Sequence, residues 1–374
     1  MSGRAARPSG IAVIDIGKTN AKVLLVAPDG TEVAERRCPN TVVPGPPYPH
    51  FDAARLWDFV VSALAGFAPK VGAIVPVTHG ACAALVRADG ELAGPVLDYE
   101  FDGPDETRAT YAPPPFAETG SPPLAGGLNL GAQLHWIERT CPDVLCAAEM
   151  LLPWPQWWAW RLSGVAASEV TSLGCHTDLW DPHRAVPSSL ARARGWDRLL
   201  PPMRRAGDIL GPLRASVAEE TGLHPATPVL TGLHDSNASL LPYLSAQPCG
   251  VLSTGTWIIA CALGGAPVKL DPAADMLLNV AVNGAPVPTA RFMGGRLRAE
   301  RVEAGAPRAD VDREIGHLAG LRLQEIGADG PVFVEGPFSA SPAFIEGVAE
   351  ATGRPAIPGE GAGTSRGAAR LVTG

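Results

Sequence analysis

The sequence predicts an α/β protein of two domains, and three observations carry that expectation. The chain opens with an apolar strand, a glycine turn and a second apolar strand within residues 11–26. A helix with one apolar face then leads into a continuous apolar run at 71–77, so strands and helix form layers rather than an all-β sandwich. The strand, glycine turn and strand come back at 250–260, in the second half of a 374-residue chain. That length suits two domains, each able to bury its own core.

In the opening stretch, β-branched and apolar residues run up to Asp15, and another apolar run follows Lys22. Residues 17–21 turn the chain. Gly17 supplies the close approach that lets backbone amides and the side chains of Thr19 and Asn20 converge on one ligand. Asp15 ends a strand expected to be buried, and a carboxylate there needs a partner. A hydrated magnesium ion is one candidate, and a local turn hydrogen bond is the other. Pro28-Asp29-Gly30 marks a turn, residues 31–37 a third strand, and the proline-rich 39–49 a surface loop. Asp52 is the expected N-cap of a helix whose Leu56, Phe59, Val60, Ala63, Leu64 and Phe67 share one face.

Thr78-His79-Gly80 follows the 71–77 strand directly, where ligands sit in α/β sheets. This polar triplet could bond a ligand hydroxyl, and the histidine could equally be a structural hydrogen-bonder. Residues 83–86 and 92–96, joined by Asp89-Gly90, read as a hairpin. Asp98-Tyr99-Glu100-Phe101-Asp102 places three carboxylates in five residues and reads as a solvated turn. Residues 131–139 and 151–162 read as helices. The second carries Trp154, Trp157, Trp158 and Trp160, whose helical spacing favours core packing over a platform for a sugar ring. Cys175-His176-Thr177-Asp178 is too compact for a tetrahedral metal site and reads as a pocket wall. Residues 184–211, rich in arginine, proline and glycine, read as a surface excursion.

Residues 228–238 form a strand, a glycine turn and a helix start. Asp235 falls near that helix N-terminus, where the dipole favours an ionised carboxylate. It can take a proton from an attacking hydroxyl or serve as an N-cap. The 250–260 stretch repeats the opening pattern as a weak internal repeat. Two such hairpins suit two related lobes gripping one phosphate chain.

Composition excludes several classes. A net charge of −8, from 38 acidic and 30 basic residues, argues against a nucleic-acid footprint. No apolar stretch approaches the roughly 20 residues that span a bilayer. Residues 1–10 hold two arginines without the apolar core of a signal peptide. Seven cysteines, an odd number without CxxC pairs, point to buried thiols in a reducing compartment, and Cys141 and Cys146 lack a His/Cys set to complete a metal site. A cytoplasmic location is expected.

Five pieces then fall into place together. They are Asp15-Ile16-Gly17-Lys18-Thr19-Asn20-Ala21-Lys22, Thr78-His79-Gly80, Gly232-Leu233-His234-Asp235, Ser253-Thr254-Gly255-Thr256-Trp257, and Val334-Glu335-Gly336-Pro337-Phe338 with 361–369. The set resembles the FGGY family of carbohydrate kinases, within the actin-like and sugar-kinase ATPase superfamily, in that family's order and over nearly the whole chain. The Ser253–Trp257 and His234-Asp235 pieces look most like the L-fuculokinase and rhamnulokinase branch.

The resemblance implies two ribonuclease-H-like (actin-like ATPase) lobes around a central cleft. Residues 8–243 would hold the sugar and the first phosphate loop, and 248–374 would form a shortened lobe with the second phosphate loop and the adenosine site. It implies ATP and Mg2+ as cofactors, with Asp15 organising the metal and Gly17, Lys18, Thr19, Asn20 and Lys22 around the phosphates. Gly255 and Thr256 would form the second phosphate loop, with Gly336 and Ser339 by the adenosine. Asp235 would be the catalytic base, and Thr78, His79, Gly80, Tyr99 and His234 would line the sugar. The implied reaction moves the γ-phosphoryl group of ATP to a hydroxyl of a ketose or deoxyketose of the L-fuculose, L-rhamnulose or xylulose type. The implied partners are sugar and ATP, with no nucleic acid and no membrane, and a homodimer is compatible with the resemblance. A kinase of a polyol or short sugar acid, and a catalytically weak sensor, are the competing readings. Retention of both Asp15 and Asp235 argues against the sensor, since binding alone has less need of a base.

Several positions depart from the family pattern. Thr78 stands where many members have Gln or Met, and 98–102 lacks the usual aromatic-aspartate-arginine pattern. Glu335-Gly336 replaces a double glycine. The 295–330 stretch is short, and a shortened helical segment there is expected to weaken nucleotide binding or lobe closure.

Overall fold

Two sheets of the same design organise the computed structural model, which describes residues 10–359 and 363–373. The opening strand Gly10–Ile16 runs antiparallel to Asn20–Val26 on one side and parallel to Val71–Thr78 on the other. Glu32–Pro39 extends one edge, and Pro228–Leu230 with Ile209–Pro212 extends the other. A two-residue strand, Leu233–His234, also pairs with the end of Val71–Thr78. In the second sheet, Cys249–Thr254 takes the place of the opening strand. It is antiparallel to Ile258–Leu263 and parallel to Val332–Glu335, with Pro286–Phe292, Met276–Val280 and Ala356–Pro358 completing the order. This is the two-lobed ribonuclease-H-like arrangement that the resemblance implies.

Side-chain alternation buries both faces of the first sheet. Ile14, Ile16, Val23 and Ile74 face the helix Ala53–Phe67 and the tryptophan helix Trp154–Ser163. Asp52 caps the first of these by accepting from the Arg55 amide at 3.0 Å. Ile11, Val13, Leu24 and Val75 face the other way, onto Ala368 and Ala369 of the helix Gly363–Thr373. The chain's last helix therefore packs on the first lobe, which departs from a simple grouping of 248–374. Residues 361 and 362 of the fifth family piece lie outside the described residues. In the second lobe, Arg308–Glu325 and Pro342–Thr352 cover one sheet face with Val311, Ile315, Phe344 and Val348.

Three readings need correction. Residues 83–86 pair with Met150–Pro153 instead of 92–96, and only a single Val86–Leu92 bridge remains of the expected hairpin. Tertiary pairing wins over the local turn. Residues 150–153 are accordingly strand, and the helix starts at Trp154. Pro153 disfavours a helical Leu152, and Pro155 sits in the helix's first turn, where its missing N–H does no harm. All four tryptophans are buried core, as their spacing predicts. Residues 184–211 are more than an excursion, because Ile209–Pro212 joins the sheet edge and Met203–Arg204 pairs with Ser168–Glu169. The short 295–330 stretch is two helices, Gly294–Glu303 and Arg308–Glu325, joined by an Arg298–Asp312 ion pair at 2.7 Å. Among the described residues no helix is long and apolar enough to cross a membrane.

Candidate active site

Each hairpin turn is closed by a glycine amide, over three residues in the first and two in the second. The Gly17 amide donates to the Asn20 carbonyl at 2.9 Å, and the Gly255 amide to the Trp257 carbonyl at 2.9 Å. At the first turn Thr19 and Asn20 are exposed at the tip, with Asn20 Nδ2 on Thr19 Oγ1 at 3.1 Å. Asn40 clamps this turn from behind. Its amide donates to the Thr19 carbonyl and its Nδ2 to the Gly17 carbonyl at 2.8 Å, while its buried Oδ1 has no partner among the described residues. Sequence reasoning missed Asn40, because a single asparagine after a strand carries no pattern.

At the second turn Thr256 and Trp257 are exposed, and Gly295, at the start of Gly294–Glu303, donates to the Thr256 carbonyl at 3.2 Å. A Cβ at Gly295 would lie 2.0 Å from the Gly255 carbonyl oxygen, so only glycine lets the helix start this close. Gly336 follows the neighbouring parallel strand with φ of +84°. Thr254 accepts from the Phe338 amide at 3.1 Å and donates to the Glu335 carbonyl, which ties the Gly336 loop to the second hairpin. Ser339 Oγ donates to the Gly336 carbonyl at 2.7 Å.

The two carboxylates converge through strand register. Asp15 is level with Val77, and Val77 with Leu233; Ile16, Thr78 and His234 form the next level, and Asp235 follows. Asp15 therefore lies one residue from the end of the opening strand while Asp235 directly follows the strand two places away, across the end of Val71–Thr78. Burial pushes the Asp15 carboxyl up to about 6, and the Asp235 charge adds to this, although Lys22, directly opposite on the hairpin, pulls it down. Burial likewise raises Asp235 to about 6, against hydrogen bonds from the Ser236 amide and hydroxyl. Asp235 keeps 29% of its side-chain surface open to solvent. It lines a cleft of about 410 Å³ with Ser236 and Ser239 on one side and Ser253, Glu335 and Gly336 of the second lobe on the other. Asp235 is the first residue of a four-residue helix and caps no amide beyond Ser236, so the N-cap role is a poor fit.

Beside the carboxylates stand three histidines that burial holds neutral, His79, His176 and His234, each pushed down to about 4. His79 faces Gly80 O with Nδ1 at 3.0 Å, and His234 faces Asn237 Oδ1 with Nδ1 at 2.8 Å. Carbonyl oxygens only accept, so in both rings Nδ1 carries the proton and Nε2 keeps its lone pair. His234 Nε2 lies 3.3 Å from Asp235 and above Gly80, where an added Cβ would be 2.7 Å from it. His79 Nε2 is buried and without a partner among the described residues. Asn237, in turn, bonds Asn279 at 3.1 Å and so links this corner to the second sheet.

Two expected roles need correction. Thr78 is fully buried and donates to the His79 carbonyl at 2.8 Å, so its hydroxyl shapes the backbone there and is not free for a sugar. The Lys18 side chain leaves its own turn. Its ammonium pairs with Asp98 and, at 3.2 Å, with Glu100, over the rings of Phe51 and Tyr99. The 98–102 run is consequently no simple solvated turn: Asp98 is buried, and only Glu100 and Asp102 reach solvent. No short-range pattern reveals a pair separated by 80 positions.

The profile of the FGGY family of carbohydrate kinases, N-terminal domain, matches residues 124–242, and that of the carbohydrate kinase FGGY, C-terminal domain, matches 246–315. A crystal structure of a carbohydrate kinase from Novosphingobium aromaticivorans superposes with a TM-score of 0.90 at 36% identity, over 98% of this chain and 92% of that one. The chain belongs to the FGGY family of carbohydrate kinases. An L-fuculokinase of Salmonella typhi is 30% identical over 200 residues, which cover 52% of this chain and 42% of the relative. With 55% covered in the Escherichia coli K12 L-fuculokinase, the match spans about half the length of these curated relatives. A ligand-bound xylulose kinase from Lactobacillus acidophilus, 15% identical with a TM-score of 0.80 over 97% of this chain and 88% of its own, shares the fold.

Proposed function

We propose that this FGGY member is an ATP-dependent carbohydrate kinase that transfers the γ-phosphoryl group to a hydroxyl of a ketose or deoxyketose. The observation that carries the reading is the pair Asp15 and Asp235, brought together by register across the end of one intervening strand, with Asp235 lining a cleft whose far wall is the second hairpin lobe. Phosphoryl transfer needs positioning, charge neutralisation and one oriented nucleophile, and the parts match those needs. Thr19, Asn20 and Lys22 border the phosphate path from the first lobe, Gly255 and Thr256 from the second, with Gly336 and Ser339 on the adenosine side. Asp235 accepts the proton of the attacking hydroxyl.

Asp15 suits a hydrated magnesium ion. Its carboxylate is partly exposed, has no hydrogen-bond donor of its own among the described residues, and stands under the charge of a second carboxylate. Magnesium is characteristically held by one or two carboxylates together with substrate phosphates. When bound, magnesium would neutralise charge on the β- and γ-phosphates. The division into lobes near residues 243–248 belongs to the same proposal.

The deciding experiment is a coupled ADP assay over a panel of ketoses and polyols with magnesium-ATP, run on wild type and Asp235→Asn. Sugar-stimulated turnover should appear in wild type and fall by about 10²–10⁴-fold in the variant, with sugar affinity little changed, since Asn still accepts a hydrogen bond. Near-normal turnover in a folded Asp235→Asn protein would sink the assignment.

A further inference from the structure

Lys18 sits one residue after Gly17, in the turn that approaches the phosphates, yet its side chain leaves that path. The ammonium contacts two carboxylates, Asp98 and Glu100, and two aromatic faces, at 5.1 Å from the Phe51 centroid and 5.0 Å from that of Tyr99. The same two rings flank His79, with centroids at 5.0 and 5.3 Å. Lys18, Asp98, Phe51, Tyr99 and His79 are therefore one packed cluster. It lies within electrostatic reach of Asp235, whose charge acts on the Tyr99 hydroxyl. One polar atom of this cluster, His79 Nε2, is buried with its lone pair unsatisfied. A buried acceptor without a donor is destabilising, and a hydroxyl donated to it would relieve this.

The charges around it decide what kind of ligand can approach. Asp98, Glu100 and Asp235 bring three negative charges, while Asp15 is the carboxylate assigned above to magnesium. From the first lobe, the cations are Lys18, already held by two carboxylates, and Lys22 opposite Asp15. From the second lobe Arg291 reaches this region, lying over Trp257 and 3.3 Å from Asp275. His79, His176 and His234 are neutral. A substrate carboxylate would meet like charge and lone-pair acceptors, with no free lysine or arginine beside it among the described residues, and would lose its hydration for little return.

We propose that Lys18 is a specificity-determining residue of the acceptor-sugar pocket and no part of the nucleotide grip. Bound to Asp98 and Glu100, it braces the Tyr99–His79 wall and leaves that wall rich in acceptors and net negative, which admits an uncharged polyhydroxyl substrate and turns away sugar acids. This rests on the kinase reading above and narrows its substrate class.

The test uses the full chain and matched neutral and acidic probes, D-xylulose against D-xylonate and L-fuculose against L-fuconate. Wild type should turn over a neutral member and at most a trace of its acid. Lys18→Met should raise KM for the neutral sugar by about tenfold or more, while KM for ATP stays within about twofold. Asp98→Asn, which leaves Lys18 under-neutralised, should raise the acid-to-neutral ratio of kcat/KM by about tenfold. Lys18→Arg keeps the charge and should keep the neutral preference, which guards against a Met variant that fails to fold. A rise in KM for ATP with sugar KM unchanged returns Lys18 to the phosphates and overturns the proposal. So does a Lys18→Met protein with a lowered Tm and both KM values unchanged, and so does equal turnover of acid and neutral sugar in wild type. Absence of any sugar-stimulated turnover in wild type removes the kinase reading itself, and this proposal with it.

Discussion

Burial pushes the Asp15 carboxyl up, and the Asp235 charge adds to it across the end of a single intervening strand. Among the described residues neither carboxylate forms an ion pair with a lysine or arginine, so a bound cation would relieve their mutual repulsion. The fold has thus set a charge arrangement that only the ligands complete, and this arrangement makes definite demands on pH.

With Asp235 near 6, the proposed base is ionised at neutral pH and becomes protonated below about 6. The sugar kcat/KM should therefore fall with an acid limb near pH 6 and be flat above pH 7. Stability runs the other way. A carboxyl raised above its unfolded value of about 3.9 binds more protons folded than unfolded, so its contribution is present below pH 4 and is lost as pH rises through 6. The three neutral histidines have the opposite sign, contributing above pH 6.5 and losing it as pH falls toward 4. The difference between proteins isolates the aspartate: the Tm gain of Asp235→Asn over wild type should grow between pH 4 and pH 6. A gain that shrinks over that window would contradict the assigned shift.

Asp15→Asn should raise the magnesium concentration at half-maximal turnover by about 10–100-fold, the usual loss when a metal site loses a carboxylate partner. Titration of magnesium against turnover at saturating ATP and sugar reads this directly. EDTA should abolish turnover, and excess magnesium should restore it. An unchanged magnesium midpoint would move the metal elsewhere.

Much of this site is legible along the chain because short-range geometry builds it. Gly17, Gly255 and Gly336 sit in turns whose strands read from their apolar runs, and Asp15 and Asp235 end strands. What stays illegible depends on distant partners. Lys18 meets Asp98 and Asn40 holds Gly17 only after the sheet has assembled, so a local reading assigns Lys18 to the nearest feature, the phosphate turn. The same limit misread residues 83–96, where a local turn signal lost to pairing with Met150–Pro153. The last helix returning to the first sheet is likewise a long-range event, since apolar spacing does not say which lobe it covers.

The tryptophan helix separates core from binding roles. Trp158 is fully buried, stacks beside Trp57 at 6.3 Å and meets Trp154 and Trp157 edge-on at 5.3 and 4.9 Å. Trp158→Ala should cost about 3–5 kcal/mol of unfolding free energy. Trp157→Phe keeps an aromatic in the stack and should leave sugar KM within about twofold. A selective rise in sugar KM with unchanged stability would make this helix a sugar platform instead.

Gly336 tests the coupling between the nucleotide side and the second hairpin. Its backbone, at φ +84° and ψ −164°, lies in a region that is essentially glycine-only. A Cβ there would come within 2.1 Å of the Thr254 carbonyl oxygen, and Thr254 is the residue that bonds both the Glu335 carbonyl and the Phe338 amide. Gly336→Ala must therefore either strain the loop or push it off the strand that leads into the second turn. The backbone term alone is about 1–3 kcal/mol, and relief of the clash adds to it. Urea unfolding should show that loss. If the loop moves to accommodate the methyl group, KM for ATP should rise while KM for the sugar, held by the other lobe, stays put. A stable Gly336→Ala protein with an unaltered KM for ATP would mean that this loop does not border the nucleotide.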